Sequence, residues 1–331
     1  MKTTIADIAS IAGVAKSTVS RYLNGGYVSE QTGKKICKAI RDTNYVPNNF
    51  AQSLKAKKNN LIGIIVPRLD SYANSRTLAG IDERLRELGY QLIISCTGQK
   101  VKREIESIEN LINQRISGII LISGKISDKH KKALGESDIP VILLGQKNDD
   151  FYCVMHNDED AGYQMGSYII DKGHRNICYV DVDKKDVSAW SRRKLGFQKC
   201  MRDNNIDSVS FFESDSTIEG AIKIEKKILT TQKPTIIACA TDNIAIGIIK
   251  GLIKRGISIP KDISVIGIGD YEVARMVTPS LTTIHYPYKS CGKLLAEKIV
   301  DLITGNDVEH DTIIPVKLVE RESVSIISKG F

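Results

Sequence analysis

Long apolar runs, paired cysteines and catalytic signatures are all missing from this 331-residue chain, and each absence excludes a class of function. No stretch approaches the ~18 consecutive apolar residues that span a membrane. The opening MKTTIADIAS has no apolar signal-peptide core, so a cytoplasmic protein is expected. Cys37, Cys96, Cys153, Cys178, Cys200, Cys239 and Cys291 are scattered with no CxxC pair. That pattern predicts reduced thiols and argues against zinc or iron–sulfur sites, so no metal and no cofactor is expected. A nucleophile elbow, a P-loop, a GxGxxG turn and HExxH are all absent. His130, His156, His174, His285 and His310 are dispersed, and the acidic run Asp158–Asp160 opens a helix, where the helix dipole alone accounts for it. No catalytic residue is assigned and no enzyme is expected.

What the chain does have is charge concentrated at one end. Residues 1–60 hold ten Lys/Arg against Asp7, Glu30 and Asp42, a net of +7; the other 271 residues hold 37 basic and 36 acidic residues, a net of +1. A basic head on a near-neutral body is the footprint of a phosphate-backbone binder, although a solvated basic segment would look the same by charge alone.

Helical periodicity separates the two. Ile5, Ile8, Ala9 and Ala12 share one face, with Thr3 or Thr4 placed to cap the start and Gly13 placed for a bend with positive φ. A second helix opens at Ala15-Lys16-Ser17, buries Val19, Tyr22 and Leu23, and ends at Asn24-Gly25-Gly26. A third, about 30–43, buries Ile36, Ala39 and Ile40 and carries Lys34, Lys35, Lys38 and Arg41 on its other face. Two short helices around a glycine turn make a helix-turn-helix, whose second member enters the major groove. Its exposed residues would be Lys16, Ser17, Thr18, Ser20 and Arg21; an arginine can grip a guanine edge with two hydrogen bonds.

Pro47 breaks that pattern, and Asn48 to Ala56 reads as a short helix before the polar run Lys57-Lys58-Asn59-Asn60. So short a helix is marginal alone in water and would fold against DNA or a partner. From Leu61 onward, Val/Ile-rich runs (LIGIIVP, QLIISC, GIILIS, PVILLG, then NICYVDV, VSFFE, TIIACAT, ISVIGIG) alternate with amphipathic helices. Continuous apolar strands imply parallel sheets covered on both faces, and two series imply two lobes. Ligands of such sheets sit beyond the strand C-termini. There stand Arg68, Asp70, Ser71, Tyr72, Gln146, Thr241, Asp242, Asp270 and Tyr271, with Trp190 and Arg193 in the segment after NICYVDV. Hydroxyls, amides, carboxylates and an aromatic suit a polyhydroxyl ligand such as a sugar. Trp190, the single tryptophan, either stacks on a sugar face or belongs to the core.

TIADIASIAGVAKSTVSRYLNG and VSEQTGKKICKAIRDTNYVPNNFAQSLK closely resemble the head and hinge of the lactose/galactose repressor family over residues 3–57. The resemblance implies base readers at Lys16, Ser17 and Arg21, and backbone contacts from Thr4, Ser20, Asn24, Tyr27, Ser29, Thr32 and Tyr45. In the hinge it implies a minor-groove wedge at Leu54, hinge-to-hinge packing at Ala51, and DNA-side neighbours Asn48, Gln52 and Lys55.

TDNIAIG, DISVIGIGD, TPSLTTIHYP and GHRNI extend the resemblance, more loosely, to a periplasmic-binding-protein-like body, in which Arg193 matches an effector-binding arginine. One departure stands out: Gly269 occupies a position where several sugar-binding members carry aspartate, so the hydroxyl acceptor is either absent or supplied by Asp270. PRLDS is similar to trehalose-operon repressors, where an arginine could hold a sugar phosphate, and the head is similar to sucrose-operon repressors.

The expectation is therefore an α/β protein in three parts. A three-helix helix-turn-helix head (1–46) leads through a hinge helix and linker (47–60) into a two-lobed, parallel-sheet effector-binding and dimerisation body (61–331). Lobe 1 takes about 61–157 and 289–317, and lobe 2 about 158–287 and 318–331. The expected partners are palindromic operator DNA, a second copy of the chain, and a sugar or sugar-phosphate inducer of α-glucoside type; no membrane is involved, and no heptad repeat predicts a tetramer. Three alternatives remain: a corepressor response, a sugar-processing α/β enzyme with a DNA-binding head, and a transport-type sugar-binding protein.

Overall fold

A computed structural model describes residues 3–23, 26–45, 59–122, 124–135, 137–183, 189–231 and 233–327. The chain divides into two compact units at Asn59/Asn60.

The first unit holds helices α1 (Ile5–Ala12), α2 (Lys16–Leu23) and α3 (Glu30–Thr43). Thr4 starts α1 with a reciprocal capping box: its hydroxyl accepts from the Asp7 N–H, and the Asp7 carboxylate takes the Thr4 N–H at 2.8 Å. Gly13 ends α1 at φ 64°, where a side chain would be strained, and so sets the turn into α2. Ile8, Ala9, Ala12, Val19, Ile36 and Ala39 form the core, with Tyr22, Leu23 and Ile40 half-buried around it. The hinge segment expected from Pro47 to Lys58 lies outside the described residues.

The second unit runs β1 (Leu61–Val66), α4 (Tyr72–Glu87), β2 (Gln91–Cys96), α5 (Val101–Asn113), β3 (Gly118–Ile122), α6 (Asp128–Gly135), β4 (Val141–Leu144) and β5 (Tyr152–His156). It continues with α7 (Asp158–Asp171), β6 (Ile177–Val182), α8 (Ala189–Asp203), β7 (Val209–Ser214), α9 (Ile218–Thr231), β8 (Ile236–Cys239), α10 (Asp242–Lys254), β9 (Ser264–Gly269) and β10 (Thr282–His285). It closes with α11 (Tyr288–Thr304), β11 (Asp311–Ile314) and β12 (Lys317–Val319). One sheet has the order β11-β5-β4-β3-β1-β2 and the other β12-β10-β9-β8-β6-β7. All pairings are parallel except β10 with β12.

Burial on both faces explains the unbroken apolar strands. In β1, Ile62, Ile64 and Val66 pack under α4 and α11 with Leu78, Ile81, Leu85, Leu295 and Ile299. Ile65 faces the opposite side, where α5 and α6 contribute Ile108, Leu111, Ala133 and Leu134. The chain passes between sheets after β5, after β10 and after β11.

In each lobe the helix that follows a crossover is seated by glycines that face the backbone of the opposing helix. Gly162 of α7 faces Arg193 and Phe197 of α8 while Gly196 of α8 faces Glu159 of α7, and Gly292 of α11 faces Thr77 and Ile81 of α4 while Gly80 of α4 faces Lys289 of α11. A Cβ on Gly162 would stand 1.8 Å from the Arg193 carbonyl oxygen, so these helices lie backbone on backbone.

β5 (Tyr-Cys-Val-Met-His), β10 (Thr-Thr-Ile-His) and the edge strands β11 and β12 lack the long Val/Ile-rich runs that mark most of the other strands. All seven cysteines are unpaired thiols, five of them buried. Among the described residues, no helix is long and apolar enough to cross a membrane, and no His/Cys/Asp/Glu group is placed to hold a metal ion.

Candidate functional site

The first unit offers a basic surface. Lys16, Ser17 and Arg21 are exposed on α2, and Lys34, Lys35, Lys38 and Arg41 on α3, while Glu30 pairs with Lys34 at 2.7 Å. Some polar residues assigned to phosphate contacts also hold the head together. Thr4 donates its hydroxyl to Asp7 at 2.8 Å, and Ser29 caps α3 while donating to the Thr32 hydroxyl at 2.8 Å. Such caps lie at helix N-termini, where backbone N–H groups favour anions. Tyr27 is 89% exposed, Ser20 is half-buried, and Tyr45 packs against the core. Asn24, Asn48, Ala51, Gln52, Leu54 and Lys55 lie outside the described residues.

In the second unit a cavity of about 450 Å³ opens between the strand C-termini of both sheets. Arg68, Asp70, Ser71 and Tyr72, following β1, all line it, as the topology predicts. Arg68 forks onto Asp70 at 2.9 and 3.1 Å. Ser71 caps α4, and the Asn74 amide donates to the Arg68 carbonyl at 2.9 Å, fixing the loop.

Arg193 reaches the wall from α8 at 5% exposure. Its Nε donates to Asp158 Oδ1 at 2.7 Å and its Nη1 to the Ala240 carbonyl at 3.0 Å, with the guanidinium 4.6 Å from the Tyr286 ring centre. The Tyr286 hydroxyl donates to the same Asp158 oxygen at 2.7 Å. Around this pair Tyr72 and Tyr271 approach each other from opposite lobes, ring centres 4.6 Å apart, with Tyr288 at 6.3 Å from each.

Three residues assigned to the cavity stand elsewhere in this conformation. The Gln146 side chain accepts the Ile126 N–H at 3.1 Å, and only its neighbour Gly145 reaches the wall. Asp242 is fully buried, accepting from the Thr283 hydroxyl at 2.6 Å and the Tyr271 N–H at 2.7 Å; burial pushes its pKa up to about 7. Asp270 accepts from Arg321, from Arg275 at 3.1 Å, and pairs with His285 at 2.8 Å. Burial alone would raise its pKa, but these partners outweigh it and hold the carboxyl below the usual range. Both aspartates brace the β9–β10 corner behind the wall. At Gly269, φ is 137° and a Cβ would stand 2.5 Å from the Tyr271 ring, so the ring occupies the space an aspartate there would need. The Trp190 side chain lies outside the described atoms.

Sequence reasoning left several wall residues unassigned: Gln99, Glu104, Lys125, Asp158, Ser216, Asn243 and Tyr288. Thr241 and Tyr271, which the strand-end rule named, both line the cavity. Glu104 lies inside a helix and carries no such signal. His156, at the end of β5, also lines the cavity. Its ring packs against those of Tyr286 and Tyr288, with centres 4.9 and 5.5 Å away, and its Nε2 is buried without a hydrogen-bond partner among the described residues. Burial pushes its pKa down to about 4, and Arg193 adds to this while Asp158 opposes it.

A histidine with a depressed folded pKa contributes stability above its unfolded value near 6.5, and that stability is lost as pH falls toward the folded value. Acidification from about pH 7.5 to about pH 5.5 is therefore expected to cost about 1 kcal/mol through His156. Thermal melts at both pH values should show a smaller loss in His156→Asn than in wild type. Equal losses would mean that His156 does not carry this titration.

Comparison with known proteins places these features. The profile of bacterial regulatory proteins of the lacI family matches residues 4–48, and that of the periplasmic binding protein-like domain matches residues 167–324. The sucrose operon repressor of Staphylococcus xylosus is 34% identical over 313 residues, covering 95% of this chain and 98% of the relative. The HTH-type transcriptional repressor PurR of Vibrio vulnificus is 32% identical, covering 93% of each. The crystal structure of the lac repressor dimer bound to operator and the anti-inducer ONPF superposes with a TM-score of 0.92 at 27% identity, covering 98% of this chain and all of that one. With its basic helix-turn-helix, its two-lobed body and these full-length likenesses, the chain belongs to the lacI family of bacterial regulatory proteins and is a DNA-binding transcriptional repressor.

Proposed function

We propose that this repressor controls a carbohydrate-utilisation operon and is released from a palindromic operator by an α-glucoside, or its phosphate, bound in the cavity between the lobes. The observation that carries the reading is the composition of that cavity: tyrosine faces and a buried, oriented arginine, ringed by Ser, Thr, Asn and Gln from both lobes. Aromatic faces suit the apolar side of a sugar ring, and fixed polar groups suit its hydroxyls. The likeness to a sucrose operon repressor supports the same ligand class. Arg68 and Lys125 on the wall supply cations for a phosphorylated form. The body would place two heads on half-sites about one helical turn apart, as a homodimer in the cytoplasm. The lac repressor dimer on its operator supports that arrangement. Because the lobes contribute opposite walls, a ligand that prefers one lobe geometry shifts the dimer between operator-competent and operator-incompetent states. The cavity binds without turnover.

The test is fluorescence anisotropy with a labelled operator duplex, titrated with sucrose, trehalose and their phosphates. Operator affinity is expected to fall with added salt and to drop by tenfold or more (about 1.4 kcal/mol) with at least one sugar. Arg21→Ala should weaken specific binding by about 1–3 kcal/mol and relax preference at one base position. Tightening by a sugar would instead make it a corepressor. Indifference to every sugar, or conversion of any, would overturn the reading.

A further inference from the structure

We propose that His156 selects one particular hydroxyl of the ligand through its imidazole Nε2; the inference rests on the sugar reading above. Among the described residues, His156 is the one residue that both lines the cavity and holds a buried side-chain nitrogen or oxygen without a hydrogen-bond partner. A polar atom left in that state is costly, and in folded proteins such atoms are ordinarily paired with protein groups or ordered water. The surroundings of the ring do not relieve it. Tyr286 and Tyr288 pack their rings against it, with centres 4.9 and 5.5 Å away, and the Tyr286 hydroxyl is spent on Asp158 at 2.7 Å. His156 closes β5 at the first passage of the chain between the sheets, and Tyr286 and Tyr288 stand at the second, after β10. The orphaned nitrogen thus sits at the junction of the two lobes.

The chemistry of the group it would take follows from charge. Burial keeps the imidazole uncharged near neutral pH, so the ring has one N–H donor and one lone pair. The charged groups that act on it, Arg193 and Asp158, are paired with each other at 2.7 Å and pull in opposite directions. Neither a phosphate nor an ammonium group is favoured at such a point. A hydroxyl is the matching partner, because it both donates and accepts and so satisfies the ring in either tautomer. Rotation about the Cβ–Cγ bond, toward the cavity, carries the nitrogen to a hydroxyl held there. When the hydroxyl is missing, the imidazole is left unpaired, so the contact separates sugars that carry it from those that do not. Tyrosine faces supply contact area that many sugars can use; His156 supplies the choice among them.

The experiment measures calorimetric affinity of the full-length protein for sucrose, trehalose and their phosphates, then for the monodeoxy analogues of whichever sugar binds. Wild type should lose roughly 10- to 100-fold in affinity with one particular deoxy analogue. His156→Phe, which keeps an aromatic ring against Tyr286 and Tyr288, should lose about as much on the parent sugar and nothing further on that analogue, with operator binding retained. His156→Gln, whose terminal amide can reach the place of Nε2, should lose less than His156→Phe. Unchanged parent affinity in His156→Phe, or a loss that persists in full on every deoxy analogue, overturns the proposal while leaving the sugar reading intact. Equal binding of every deoxy analogue by wild type overturns it with no variant needed. Binding of no sugar at all overturns both.

Discussion

Arg193→Ala should destabilise the body by about 3–5 kcal/mol and abolish the response to sugar, while the isolated basic surface of the head still binds operator. The stability loss comes from Asp158. Its side chain is as buried as that of Arg193, and with the guanidinium gone it keeps the Tyr286 hydroxyl but loses its counter-charge. An uncompensated buried carboxylate costs far more than the pair contributes, so the effect is large even though the pair itself need not be strongly stabilising. Pairing Arg193→Met with Asp158→Asn removes both charges and should recover most of the lost stability without recovering the response. Chemical denaturation reads the first effect, and operator anisotropy with sugar reads the second. A normal sugar response in Arg193→Ala would show that the ligand sits elsewhere.

Gly196→Ala should be nearly as damaging as Gly196→Val, each costing about 3 kcal/mol or more. Alanine for glycine inside an exposed helix ordinarily stabilises by up to about 1 kcal/mol. Here the first side-chain atom already lies 1.8 Å from the Glu159 carbonyl oxygen of the facing helix, and backbone cannot yield as a flexible side chain would. Helices α7 and α8 must move apart, and Arg193, three residues away on α8, moves with them from Asp158 on α7. The variant should lose sugar affinity as well as stability. Denaturation midpoints for the Ala and Val variants decide the matter; a neutral or stabilising Gly196→Ala would mean that the helices do not cross in contact at this position.

The head was legible because its determinants are local. Thr4, Gly13 and the spacing of Ile8, Ala12 and Val19 act within a turn or two of their own positions, and the exposed face of α2 follows from the buried one. The sheets were legible for a related reason: strands covered on both faces must be apolar at every position, as β1 and β9 are. β5 escaped because Cys153 and Met155 fill the same buried slots without β-branched side chains. The cavity was legible by rule and not by residue. Positions after β1 line it, yet Asp242 and Asp270, after β8 and β9, are drawn inward by Thr283, Arg321 and His285, which lie far along the chain. Glu104 is invisible in the sequence because only the distant His130 makes it a buried, oriented carboxylate.

Sequence alone thus determined the basic reading head and the two-lobed α/β architecture, since periodicity and charge are properties of neighbouring residues. Tertiary structure alone decided which carboxylates line the cavity and which brace the fold. A charged group's role depends on what buries and hydrogen-bonds it, and for Asp158, Glu104, Asp242 and Asp270 those partners come from separate elements brought together by packing.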